Sequence, residues 1–147
     1  MYEKTFVAGW ADMDFNSHMK NTAFLDKSAD TRMMYFAANG FPMSQFVALE
    51  IGPVIMKDEV EYSREVGLLE TVNVTLAVAA LANDGSRWMM RNEIFRADGK
   101  LAARVTSTGG WLSLRSRRLV APPEALLGAL SALERTADFQ TLASSLR

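Results

Sequence analysis

Apolar and polar positions alternate from the start of the chain. Phe6, Ala8 and Trp10 fall on one side of residues 2–10, and Thr5, Val7 and Gly9 on the other. A two-residue period predicts a strand with one buried face. The polar stretch Asp12 to Asn21 breaks the alternation, and the period then changes. Leu25, Ala29, Met33, Phe36 and Ala37 recur at helical spacing, and Gly40 followed by Pro42 supplies a stop. The spacing predicts a helix of roughly five turns. Asn21 or Thr22 can cap it, and Asp26 is expected in its first turn, where negative charge favours the helix dipole.

Alternation returns over residues 54–64, with Val54, Met56, Val60 and Tyr62 on one face and Lys57, Glu59, Glu61 and Ser63 on the other. Three further strands are predicted over 70–82, 86–96 and 100–114. Asn83-Asp84-Gly85 and Ala97-Asp98-Gly99 separate them, and Asp-Gly tolerates the positive φ of a tight hairpin. The three read as an antiparallel meander. Gly109-Gly110 inside the last strand predicts a bulge or a close backbone approach.

Pro122-Pro123-Glu124 opens a short amphipathic helix carrying Leu126, Leu127, Leu130 and Leu133. Phe139, Leu142 and Leu146 predict a second one over Asp138–Leu146. The order of elements predicts an α+β arrangement, an antiparallel sheet with one long helix across a face and short C-terminal helices. There is no internal repeat, low-complexity tract or composition shift, so one domain over 1–147 is expected. Its core spans about 2–115, with a helical extension over about 122–147.

Composition narrows the function classes. The 147 residues are 49% hydrophobic and 22% charged, with a formal net charge of −1. No whole-molecule field draws such a chain to nucleic acid. It holds no cysteine, which removes disulfides, thiolate nucleophiles and sulfur-ligated metal sites, and a reducing cytoplasm is the expected compartment. The first residues lack a basic-then-apolar leader, and no apolar run reaches membrane-spanning length.

The candidate chemistry is concentrated in Asp12-Met13-Asp14-Phe15-Asn16-Ser17-His18-Met19-Lys20-Asn21. Two carboxylates, two carboxamides and the single histidine fall within ten residues, just before a predicted helix N-terminus. The first amides of a helix lack internal acceptors and, with the dipole, favour developing negative charge. A thioester carbonyl held there would have its oxyanion stabilised, while a carboxylate of the same loop attacked it or activated water. Against this stands a plain structural role, since polar residues before a helix commonly serve as caps and turn formers.

The run resembles the D-x-D-x-N-x-H-x-x-N signature of hotdog thioesterases, in particular acyl-acyl carrier protein thioesterases and their small bacterial relatives. Glu61-Tyr62-Ser63-Arg64-Glu65-Val66-Gly67 is similar to the E-Y-x-R-E segment of the same group. The two matches cover the order of elements from residue 2 to about 114. The resemblance implies a hotdog fold, with Asp14 as principal carboxylate, Asn16 and His18 on the polar catalytic positions and Glu65 on the second acidic one. In the related 4-hydroxybenzoyl coenzyme A thioesterases, too, the second aspartate of the pair is catalytic. Val66 stands where plant members commonly carry cysteine, so thiol chemistry is excluded. His18 either takes a proton or orients a water. Glu65 either acts in catalysis or belongs to a solvated strand face with Lys57, Glu59 and Glu61. The resemblance also implies an active site between two subunits and hence a homodimer; pairing of dimers into tetramers is not readable.

Substrate contacts are expected from Asn21 and Thr22, whose amides could line an oxyanion hole, and from Arg117 and Arg118 in Leu114-Arg115-Ser116-Arg117-Arg118. Guanidinium groups suit the phosphates of coenzyme A or phosphopantetheine; the run could equally be a solvated strand end. Met33, Met34, Phe36, Phe41 and Phe46 could line an acyl tunnel or be plain core. The expected function is therefore hydrolysis of an acyl thioester of coenzyme A or acyl carrier protein, with no metal and no cofactor beyond the carrier on the substrate. The alternative is a non-catalytic acyl-coenzyme A-binding module of the same fold. A hotdog dehydratase ranks last, because His18 does not reproduce its histidine spacing.

Overall fold

A computed structural model describes residues 1–146. Strand β1 (Tyr2–Val7) leads through a 3₁₀ turn (Trp10–Asp12) and the polar loop into α1 (Asn21–Ala38) and α2 (Met43–Leu49). Four long strands follow, β2 (Ile51–Tyr62), β3 (Thr71–Ala82), β4 (Arg87–Arg96) and β5 (Leu101–Ser113). The chain ends in β6 (Leu119–Val120), α3 (Glu124–Ala132) and β7 (Arg135–Leu142). All strands form one sheet in the order β1-β3-β4-β5-β2, with β6 added to β5 and β7 to β3. Pairing is antiparallel except for β7, which runs parallel to β3.

The predicted meander forms, with β3, β4 and β5 adjacent and antiparallel. Val72, Val74, Leu76 and Val78 of β3, Trp88, Met90 and Ile94 of β4, and Ala103, Val105 and Trp111 of β5 are all buried. The two Asp-Gly turns place Gly85 at φ 74° and Gly99 at φ 80°, the left-handed backbone glycine adopts without strain. A shift of register between Ile55 and Lys57 of β2 lies opposite Gly109 and Thr108. The predicted bulge is therefore present, on the partner strand.

Helix α1 has the predicted span but a different buried face. Ala23, Phe24, Lys27, Ser28, Thr31, Arg32, Tyr35 and Phe36 are buried. The apolar series read from the sequence is only half-buried at Leu25, Ala29 and Met33, and Ala37 is exposed. Hydrophobic periodicity misplaces this face because four inward residues are polar and each finds a partner. Ser28 Oγ and Thr31 Oγ1 donate to the carbonyls of Phe24 and Lys27, Lys27 pairs with Asp12, and Arg32 donates to Asn92 and Ser107. Arg32, Asn92 and Ser107 form a polar layer between two apolar clusters. One, with Phe24, Val72, Val74 and Ile94, lies under the start of α1, and the other, with Phe36, Phe46, Trp88 and Trp111, under its end.

Three further expectations change. Lys20, in extended conformation, is the N-cap of α1; no side chain bonds there, so neither Asn21 nor Thr22 caps it, and its first turn carries no acidic residue. Residues 43–49, read as a connection, are helical. Asp138–Leu146 is not a helix, because Arg135–Leu142 is drawn into β7. Strand β1 pairs with β3 only from Thr71 to Leu76, leaving the edge from Val78 to Ala82 unpaired until β7 covers it. Arg135 stacks on Phe139 and Asp138 takes a bidentate bond from Arg91. Of the two predicted C-terminal helices only α3 is present. Arg147, the last residue of the predicted extension, lies outside the described residues.

Candidate active site

The loop after β1 is built by backbone bonds to its own carboxylates. Asp12 Oδ2 accepts from the amide of Gly9 at 2.8 Å and from Lys27 Nζ at 2.9 Å, which fastens the 3₁₀ turn to α1. Burial pushes the Asp12 carboxyl toward a higher pKa, but the bonds from Lys27 and Gly9 outweigh it and hold it below the usual carboxylate range. Beyond it, Met13 and Met19 face each other across a single antiparallel bridge. Asp14 closes the tip: its amide donates to the carbonyl of His18 at 2.8 Å, and its Oδ1 accepts from the amides of Asn16 at 2.8 Å and His18 at 3.1 Å. Ser17 turns the chain at φ 61°, and Phe15 at the tip is 97% exposed.

A folded pKa below the unfolded value means that the Asp12 contribution is present above about pH 4 and is lost as pH falls through the folded pKa. Asp12→Asn should therefore lower stability by about 1 kcal/mol at pH 7. Urea melts should show that deficit shrinking between pH 7 and a pH below the folded pKa, where the wild-type carboxylate is itself protonated. An equal deficit at both pH values would exclude the ion pair as its source.

The loop is pinned to the segment after β2. The amide of Met19 donates to the carbonyl of Val66 at 2.8 Å, and His18 bridges Gly67. This brings His18 Nε2 to 3.2 Å from Glu65 Oε2, joining residues 47 positions apart in sequence. Both lie on a cleft of about 250 Å³ lined also by Met19, Phe24, Tyr62, Ser63 and Arg64. Asp14 and Asn16 are exposed on the same loop, outside the cleft lining. Asn21 and Thr22 are exposed at the uncapped start of α1, so the first amides meet no side-chain acceptor. Among the described residues no cluster of three or more His, Cys, Asp or Glu side chains is disposed to hold a metal.

Two cleft residues, Tyr62 and Arg64, were not singled out from the sequence. Tyr62 sits edge-on to Phe24 with ring centroids 5.5 Å apart, and Arg64 Nη1 donates to the carbonyl of Leu101 at 3.1 Å. The signal was available, since both belong to the Glu61–Glu65 run. Arg117 and Arg118 are not brought to this cleft within the chain. The cleft end of β5 is fixed where the amide of Ser63 meets the carbonyl of Ala102, whereas the arginine turn follows Ser113. At 3.2–3.4 Å per residue the separation is about 35 Å. In that turn Arg115 pairs with Glu50 at 2.9 Å, and Arg117 and Arg118 are exposed.

Residues 8–130 match the family model described as Thioesterase-like superfamily. No curated protein sequence matches the chain. Among solved structures, a protein from Pseudomonas aeruginosa superposes with TM-score 0.83 at 22% identity, over 93% of this chain and 94% of that one. A 1,4-dihydroxy-2-naphthoyl-coenzyme A thioesterase from Synechocystis superposes with TM-score 0.80 at 14% identity, over 90% and 96%. A Staphylococcus aureus protein solved in complex with coenzyme A superposes with TM-score 0.81 at 19% identity, over 88% and 81%. No helix among the described residues is long and apolar enough to cross a membrane.

Proposed function

The chain belongs to the thioesterase-like superfamily and has a hotdog fold, and from that premise we propose that it hydrolyses an acyl thioester of coenzyme A with Asp14 as general base. What carries the reading is one junction. A carboxylate loop, a histidine-glutamate pair and the uncapped N-terminus of α1 meet where the loop is pinned to residues 65–67. Both amide bonds to Asp14 fall on Oδ1, which leaves Oδ2 to take a proton from water. The water oxygen then bonds to the acyl carbon, and the first amides of α1 receive the oxyanion. On collapse the carbon-sulfur bond breaks, sulfur keeps the electron pair, and the proton returns to the thiolate. His18, held by Glu65, orients the water, with Asn16 beside it on the loop.

The functional unit is proposed to be a homodimer. Among the described residues strand β2 pairs only with β5, and Ile55, Met56 and Tyr62 along it are exposed. An unpaired edge of this length invites a second copy, and a twofold axis makes the contact antiparallel. The Tyr62 end of β2 then lies beside the Ile51 end of the partner's, next to the partner's arginine turn. On this arrangement Arg117 and Arg118 of the partner subunit reach the phosphates of the carrier, a role they could not fill from within the same chain. Coenzyme A as carrier is supported by the Staphylococcus aureus neighbour, solved with that molecule bound, and by the naphthoyl-coenzyme A thioesterase from Synechocystis. No further cofactor enters the reaction.

Purified protein should sediment as a dimer and release free thiol from acyl-coenzyme A, followed with a thiol reagent, and more slowly from acyl carrier protein. Tight binding of acyl-coenzyme A without thiol release would instead identify a binding module.

A further inference from the structure

The polar layer across the core contains a cation with no direct counter-ion. Arg32 is 8% exposed, and its Nη1 donates to Asn92 Oδ1 at 3.3 Å and Ser107 Oγ at 3.2 Å. It joins no ion pair among the described residues. The nearest anion acting on it, Asp58, is reached only through Ser107, whose Oγ donates to Asp58 Oδ1 at 2.6 Å. Burial lowers the guanidinium pKa, and the charge of Asp58 offsets this only in part. The Nε and Nη2 hydrogens make no hydrogen bond to a described residue, yet these atoms are not sealed into the core.

That side chain lines a cavity of about 160 Å³, otherwise walled by apolar groups that include Met33, Phe36, Ile55 and Met90. Trp88 also lines it, and its buried Nε1–H has no acceptor. A buried cation whose Nε and Nη2 hydrogens have no acceptor among the described residues thus borders an apolar cavity. A dry cavity of about 150 Å³ takes a benzene-sized group, so the space suits a short acyl chain. An entirely apolar acyl group would leave the guanidinium desolvated with no direct counter-ion. A carboxylate supplies the missing charge, and its two oxygens match the parallel N–H pair on the Nε–Nη2 edge.

We propose that this cavity receives the acyl group of the substrate and that Arg32 binds a carboxylate at its distal end, which selects short ω-carboxyacyl thioesters. The inference rests on the hydrolase reading and on its dimer. Arg32 lies ~16 Å along α1 from Asn21 at 1.5 Å per residue, too far for a short acyl group bound at the same chain's helix start. Pro53 and Ile55 border the cavity on the open edge of β2, and antiparallel pairing of two β2 strands sets that edge beside the partner's cleft. The acyl group of one protomer's cavity therefore belongs to a thioester cleaved at the other's loop.

The test compares kcat/KM for glutaryl- and adipyl-coenzyme A with that for valeryl- and hexanoyl-coenzyme A. Wild type should prefer the carboxylated pair by at least about a hundredfold. Arg32→Met, which fills the site without charge, should invert that ratio, and Arg32→Lys, which keeps charge but loses the paired edge, should fall between. Free glutarate should inhibit wild type competitively. Equal use of neutral and carboxylated substrates by wild type overturns the proposal, and this readout stands even if the Met variant fails to fold. Thiol release from none of the four would instead overturn the hydrolase reading itself.

Discussion

Asp14→Asn should lower kcat for acyl-thioester hydrolysis by about 10² to 10⁴-fold, the range contributed by a positioned general base, and leave the thermal unfolding midpoint almost unmoved. The two halves of this expectation separate because the two carboxylate oxygens have different work. Oδ1 holds the loop through the amides of Asn16 and His18, and an asparagine oxygen can accept both. Oδ2 receives no hydrogen bond from a described residue, and replacing it with an amide nitrogen removes the proton acceptor alone. Asp14→Ala removes both functions, so it should lose the rate and also loosen the loop that carries His18 toward Glu65. Circular dichroism melts beside single-turnover kinetics on both variants would show the split. An asparagine variant with undiminished turnover would move the base to the His18–Glu65 pair and leave Asp14 as a turn former.

The meander was legible in the sequence because its determinants are local. The Asp-Gly dipeptides set the turns at Gly85 and Gly99, and the apolar-rich runs beside them set the strands. The span of α1 was legible for the same reason, but its orientation was not. Lys27, Ser28, Thr31 and Arg32 face inward, and no hydropathy pattern anticipates polar residues whose partners are helix carbonyls, for Ser28 and Thr31, or lie on the first loop, β4 and β5, for Lys27 and Arg32. β7 was missed because the feature that makes it a strand is the bare edge of β3 beyond Leu76, which is distant in sequence. The candidate site divides in the same way. Asp14, Asn16 and His18 are clustered along the chain, whereas the approach of Glu65 depends on the pairing of His18 with Gly67 and was reached through resemblance. The arginine run could be read as chemistry but not as position. Its distance from the cleft follows from the length of β5, which becomes meaningful only when the loop's docking point is known.

The largest expected loss of stability comes from Gly109→Ala, a change of one methyl group. Gly109 is buried in β5 opposite the bulge in β2, and a Cβ there would overlap the carbonyl oxygen of Val54 and come within 2.8 Å of two carbons of the Trp88 ring. Neither neighbour can withdraw cheaply. Val54 is held by the β2–β5 ladder, and the fully buried Trp88 packs against Trp111 with ring centroids 6.1 Å apart. Overpacking of this kind costs roughly 3 kcal/mol, a fall in the unfolding midpoint of about 6–12 °C for a chain of this size. Gly128 provides the opposite sign. It is exposed within α3, a Cβ there meets nothing within 4 Å, and alanine in its place should raise stability by up to about 1 kcal/mol through helix propensity. Calorimetric melts of the two variants should therefore bracket wild type. Because Trp88 lines the cavity beside Arg32, the ring displaced by Gly109→Ala should also narrow that space, and adipyl-coenzyme A should lose more kcat/KM than glutaryl-coenzyme A. A Gly109→Ala protein as stable as wild type would mean that β2 and β5 are not paired in the register from which the bulge, the cavity and the open edge all follow.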